Sequence, residues 1–133
     1  MKMFKKKIFI AGHQGMVGSA IMRQLKKQDI EIITKTRKEL NLLNHQDVHN
    51  FFKNKKIDEI YLAAAKVGGI YANNTYPADF IYQNLMIQNN VIHSAFLNGV
   101  KKIIIFRIKL HLPKKCQSTY ERGRIVNWEI RAN

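Results

Sequence analysis

The stretch IFIAGHQGMVGSA, residues 8–20, constrains the fold of this chain more than any other. Residues 7–11 form a short apolar run that stops at Gly12, as expected of a strand buried on both faces of a parallel sheet. Residues 19–27 then show helical spacing, with Ile21, Met22 and Leu25 on one face. Between them Gly12, Gly15 and Gly18 spell G-x-x-G-x-x-G, a dinucleotide fingerprint with one more residue in its first gap. The physical demands are similar: a tight turn at Gly12, room for backbone N–H groups to approach a pyrophosphate at Gly15, and close helix–strand packing at Gly18. The helix's amino end would face phosphates with its partial positive charge. Glycines also collect in ordinary turns, and it is the placement between strand and helix that favours the phosphate reading. His13, Gln14, Met16 and Val17 fill the gaps and join the glycines as candidate cofactor-binding residues.

The rest of the chain alternates in the same way. IEIIT (30–34) is β-branched and predicts a second strand, and ELNLL (39–43) is short and could supply a third. Asn44 can cap a helix over 45–54, whose apolar stripe is Val48, Phe51 and Phe52. IDEIYLAAA (57–65) predicts the fourth strand. Pro77 suits the first turn of a long helix to about Leu97, with Gly99 as its stop, and VKKIIIF (100–106) predicts the fifth strand. Strands this apolar, alternating with helices, argue a doubly wound, Rossmann-type α/β fold with a parallel sheet of about five strands and right-handed crossovers.

Composition narrows the class further. At 133 residues the chain is one domain at most, able to bury roughly two-thirds of its unfolded surface. The opening MKMFKKKIFIAG places lysines before an apolar run, but IFIA is far shorter than the roughly 7–15 residues of a signal-peptide core. No stretch approaches the roughly 18 apolar residues of a membrane span. One cysteine allows no internal disulfide, which makes the cytoplasm the expected location. The net charge of +14 invites a nucleic-acid reading, yet the lysines are scattered and no zinc-ligand spacing or aromatic-basic motif accompanies them. Neither a nucleic-acid nor a membrane partner is expected.

The segment TKTRKEL (34–40) lies about 20 residues past the glycines, where NAD-preferring proteins place an Asp or Glu on the ribose hydroxyl. Here it holds Lys35 and Arg37, and Arg can grip a 2′-phosphate bidentately, so NADP(H) is favoured over NAD(H). Lysines past a strand end are also ordinary solvated residues. Ala63, Ala64 and Ala65 leave space at the carboxyl end of a central strand, where open sheets bind cofactors, although core packing alone could select alanine. His45 and His49 sit at i, i+4 on one helix, but no third ligand follows at suitable spacing and no metal site is expected. Cys116 has no evident partner and reads as incidental.

Together, FIAGHQGMVGSAI, ELNLL and YLAAAKVGGIYANNTYPADFIYQN resemble the GDP-L-fucose synthase family of extended short-chain dehydrogenase/reductases, nearly without gaps from about residue 7 to 106. The block AAAKVGGI-ANN-YPADFI-QN is far more specific than the glycine motif. The resemblance implies an NADPH-dependent oxidoreductase and epimerase. It would epimerise GDP-4-keto-6-deoxy-D-mannose at C3 and C5 and reduce the C4 ketone, giving GDP-L-fucose, as a homodimer. It also implies that residues 12–18 cradle pyrophosphate and that 37–42, with Asn41 and Leu42, border the adenosine end. Leu62, Ala63, Ala64, Ala65 and Lys66 would line the cofactor cleft. The family often has Arg where this chain has Gln14, which leaves coenzyme preference resting on Lys35 and Arg37.

The pattern the family shows next is missing. After the fifth strand it carries Leu-Gly-Ser-Ser-Cys-Ile-Tyr-Pro-Lys, and later a Tyr-x-x-x-Lys pair in which Tyr protonates the ketone oxygen. None of Tyr61, Tyr71, Tyr76, Tyr82 or Tyr120 has Lys four residues on, so no catalytic residue is assigned and the chain as given is expected to be inactive. Permitted codons for residues 106–133, read from the second base of the Phe106 codon, spell the family's continuation. Residues 1–106 are therefore expected to be an incomplete NADP-binding domain and 107–133 an out-of-frame, unselected tail that leaves the last strand's edge bare or covers it. The substrate domain would be absent and dimerisation in question. Three other readings stay open: a stand-alone NADP-binding module, a fragment of another nucleotide-sugar epimerase or dehydratase, and a basic nucleic-acid binder.

Overall fold

A computed structural model describes residues 5–106 and 126–129. Strand β1 (Lys6–Ala11) lies between β2 (Ile30–Lys35) and β3 (Glu59–Leu62), and β4 (Lys102–Ile105) lies beyond β3. All four run parallel, and Ile10 pairs with Thr34 on one side and Tyr61 on the other. On the far edge β5 (Val126–Glu129) pairs antiparallel with β4. The helices are α1 (Met16–Leu25), α2 (His45–Asn54), α3 (Ile70–Thr75) and α4 (Pro77–Leu97). The resulting order, β2-β1-β3-β4-β5, reverses direction between β1 and β3. That reversal is where open α/β sheets form a ligand crevice.

The apolar run 8–11 is explained by burial on both faces. Phe9 and Ala11 face a core with Ile60, Leu62 and Ile103 from the sheet, Val48 and Phe52 from α2, and Ile87, Val91 and Ala95 from α4. The Phe9 ring sits edge-on to Phe52, with centroids 5.8 Å apart. Ile8 and Ile10 face the other way, against Ile21, Met22 and Leu25 of α1. On that second face Tyr61, Ile104 and Phe106 are only partly buried.

Local chemistry sets the element ends. Asn44 caps α2 by accepting from the backbone of Gln46 (3.0 Å) and Asp47 (3.4 Å) through Oδ1. Pro77 opens α4, and Gly99 closes it at φ +68, a conformation that favours glycine.

Several expectations need correction. Residues 39–43 form no strand. Glu39 and Leu40 donate their N–H groups to Thr36 O, Leu43 N–H donates to Asn41 Oδ1, and Asn44 N–H donates to Asn41 O. Local turn bonds thus take the donors a strand would offer a neighbour. The second of the two apolar runs expected as strands shrinks to Lys102–Ile105, and the first to Glu59–Leu62. Helix α1 begins at Met16, three residues early, and α3 was not foreseen. The fifth strand comes from residues 126–129, so the β4 edge is covered there. Residues 107–125 and 130–133, with Cys116 and Tyr120, lie outside the described residues. Among the described residues no helix is long and apolar enough to cross a membrane.

Candidate cofactor-binding cleft

The turn after β1 is built around a close backbone crossing. Gly12 has φ +83, and a Cβ there would lie 2.7 Å from Ala64 N, against the chain leaving β3. Gly18 sits inside α1, where a Cβ would fall 2.1 Å from Gly12 O. Helix and turn therefore touch backbone to backbone, which explains a glycine within a helix despite its low propensity. Gly15 differs. Among the described residues an added Cβ would meet only Gly12 O, at 3.4 Å, an ordinary contact that does not require glycine.

Gly15 is also the N-cap of α1, and it offers no side chain to the first-turn N–H groups. That turn contains no acidic residue. Uncapped donors at the positive end of a helix, beside an exposed glycine, fit a phosphate. In the same turn Nδ1 of His13 is buried and has no hydrogen-bond partner among the described residues.

The turn forms one wall of a cleft of about 480 Å³ at the carboxyl ends of β1 and β3. Of the sequence candidates, Gly12, His13, Gln14, Gly15, Met16, Val17, Lys35, Arg37, Asn41, Leu42, Ala63, Ala64, Ala65 and Lys66 line it. Gly18 and Leu62 do not; Gly18 packs helix against turn, and Leu62 belongs to the core. The sequence reading missed Gln83 and Ile87 of α4, which close the cleft from the side. None of the described tyrosines lines it.

Two buried asparagines of α4 hold the cleft's loops. Asn84 bonds both backbone groups of Lys66, and Asn90 Nδ2 donates to Leu42 O at 2.9 Å. The Lys66 ammonium lies 5.1 Å from the centre of the Phe80 ring, a cation–π distance.

At the β2 end the candidate cations are unequal. Lys35 Nζ is 3.4 Å from Glu39 Oε1, whereas Arg37 is exposed and has no ion-pair partner among the described residues. Glu39 accepts from Thr36 N and Thr36 Oγ1, each at 2.8 Å. The Thr36 backbone bond, then its hydroxyl, then Lys35 hold the Glu39 carboxyl at about 2, against 4.5 ordinarily. Glu39 is thus tied into the turn and does not line the cleft, so it does not take the place of the ribose-binding acid.

Four parallel strands with a glycine turn, an uncapped helix and a cleft at the switch point define a doubly wound, Rossmann-type α/β domain. Residues 8–107 match the NAD dependent epimerase/dehydratase family, and the chain belongs to that family. It is 58% identical over 125 residues to GDP-L-fucose synthase of Escherichia coli, covering 93% of this chain and 39% of the relative. GDP-L-fucose synthase 1 of Arabidopsis thaliana is 55% identical over 109 residues, covering 81% and 34%. Among solved structures, a GDP-mannoheptose C4 reductase from Campylobacter jejuni with NADP bound superposes with a TM-score of 0.72 at 45% identity, covering 79% of this chain and 33% of that one. The chain thus spans well under half the length of the relatives it matches.

Proposed function

We propose that this chain is the coenzyme-binding part of a GDP-L-fucose synthase and that it binds NADP(H) in the cleft between β1 and β3. The observation that carries the reading is the Gly12–Gly15–Gly18 turn joined to an uncapped helix end, in a chain 58% identical to the Escherichia coli enzyme. The first-turn N–H groups of α1 would hold the pyrophosphate and Arg37, with Lys35, the 2′-phosphate. Ala63, Ala64 and Ala65 would leave room for the coenzyme, with Asn41 and Leu42 at its adenosine end. Bound NADPH supplies hydride to a keto-sugar in the whole enzyme.

The whole enzyme would take GDP-4-keto-6-deoxy-D-mannose as substrate and act as a homodimer in the cytoplasm, without nucleic-acid or membrane partners. The 133 residues given contain no Tyr-x-x-x-Lys pair, so this chain alone is proposed to be inactive. Residues 107–133 are proposed to be read out of register, which places the end of the NADP-binding unit at Phe106. The family match stopping at residue 107 supports this, although the Escherichia coli alignment, at 125 residues, runs further.

Fluorescence titration with NADPH tests the binding. Saturable binding by folded chain is expected, with no NADPH oxidation when the keto-sugar nucleotide is added. Folded chain that leaves NADPH free would end the binding proposal, and turnover would end the proposal of inactivity. Sequencing the coding DNA around codon 106 tests the register.

A further inference from the structure

The sequence offered His45 and His49 as a pair lacking a third ligand. The fold brings a third histidine beside His45. Helices α2 and α4 share a core through Val48, Phe52, Val91 and Ala95, and that packing brings His93 of α4 to His45. The ring centroids are 6.2 Å apart for His45 and His49 and 5.9 Å for His45 and His93. Among the described residues none of the three imidazoles has a hydrogen-bond or ion-pair partner, and Nδ1 of His49 is buried with none. His45 and His93 are exposed and His49 is half-buried, so the cluster is open to solvent.

We propose that His45, His49 and His93 form a binding site for a divalent late transition ion that clamps α2 to α4. Imidazole suits zinc, copper and nickel, and a helical i, i+4 pair already presents two rings on one face. With metal–nitrogen bonds of about 2.0–2.1 Å, two imidazoles on one tetrahedral ion have centroids roughly 5 Å apart. The His45 ring stands about 1 Å beyond that separation from each of the other two, a gap that side-chain rotation must close. The site depends on that rotation: as they stand, no three His, Cys, Asp or Glu among the described residues are placed to hold a metal ion. Three nitrogens leave a fourth position for water, as in open zinc sites. The site lies on helices α2 and α4, and none of its three histidines lines the coenzyme cleft.

The test is calorimetric titration of the full chain with Zn(II) or Ni(II). The chain carries Cys116→Ser to remove its one thiolate, and circular dichroism verifies the fold of every variant. One saturable site is expected. Loss of an outer-shell partner weakens metal sites by about 10–100-fold, so His45→Ala, His49→Ala and His93→Ala should each cost about tenfold or more. His111→Ala should leave affinity unchanged. Zn(II) should also raise the unfolding temperature of the parent but not of His93→Ala. Absence of saturable binding overturns the proposal. So does binding that survives His93→Ala, which would leave only the helical pair, or binding abolished by His111→Ala. Where an alanine variant does not fold, the glutamine variant at that position replaces it and is judged by the same outcomes.

Discussion

The side-chain amide of Asn84 closes both hydrogen bonds of the Lys66 backbone: Oδ1 accepts from the N–H at 2.7 Å, and Nδ2 donates to the C=O at 3.1 Å. A helix side chain thereby replaces the strand neighbour that the chain loses once it leaves β3. The cleft wall at Ala65 and Lys66 is as firmly placed as the core of α4 to which Asn84 belongs.

Replacing Asn84 with Leu keeps the branched outline, adds some bulk and removes both partners. A buried or half-buried polar group left without a partner costs about 1–3 kcal/mol, so Asn84→Leu should lower unfolding stability by at least that amount. Asn84→Asp retains the acceptor and should cost less. Urea denaturation of the three chains measures the order.

The glycines of the turn should separate stability from ligand binding. Gly18→Ala forces a Cβ to 2.1 Å from Gly12 O and should destabilise by about 3 kcal/mol or more. Gly15→Ala meets nothing closer than 3.4 Å and should keep the melting temperature within a few degrees while weakening NADPH binding. Thermal unfolding beside NADPH titration separates the two effects.

Arg37, with no carboxylate partner among the described residues, should carry coenzyme preference more than Lys35, which Glu39 partly neutralises. A charge-assisted bond to a 2′-phosphate contributes about 1.5–3 kcal/mol, so Arg37→Ala should weaken NADPH binding about tenfold or more and change NADH binding little. Lys35→Ala should have the smaller effect on the ratio of the two dissociation constants.

The Thr36–Glu39 turn should respond to acid in a defined direction. The carboxyl is lowered from 4.5 to about 2, so its stabilising bonds are fully present above 4.5 and are lost as pH falls through about 2. NMR titration of the Glu39 side chain should give a midpoint near 2, and Thr36→Val, which removes the hydroxyl bond, should move it upward.

Much of the fold was legible because it rests on local signals. The run 8–11 is apolar because both faces of β1 are covered, and Asn44, Pro77 and Gly99 mark helix ends through their own backbone chemistry. Residues 39–43 misled because Leu40, Leu42 and Leu43 resemble a strand, while Asn41 and Glu39 satisfy the backbone locally. Asn84 and Asn90 passed unnoticed because a buried amide in a helix looks like a break in an apolar stripe until its distant backbone partner is known, and Gln83 and Ile87 because only the packed fold brings α4 beside the cleft.

The sequence by itself determined the alternation of β1, α1, β2, α2, β3, α4 and β4, the glycine turn and the family, because each is written in residues close together along the chain. Only the tertiary structure decided that Gly12 and Gly18 serve packing while Gly15 is sterically free, that α4 holds both loops of the cleft, and that His93 joins His45. The physical reason is that these depend on contacts between residues far apart in the chain, which exist only once both sheet faces are packed.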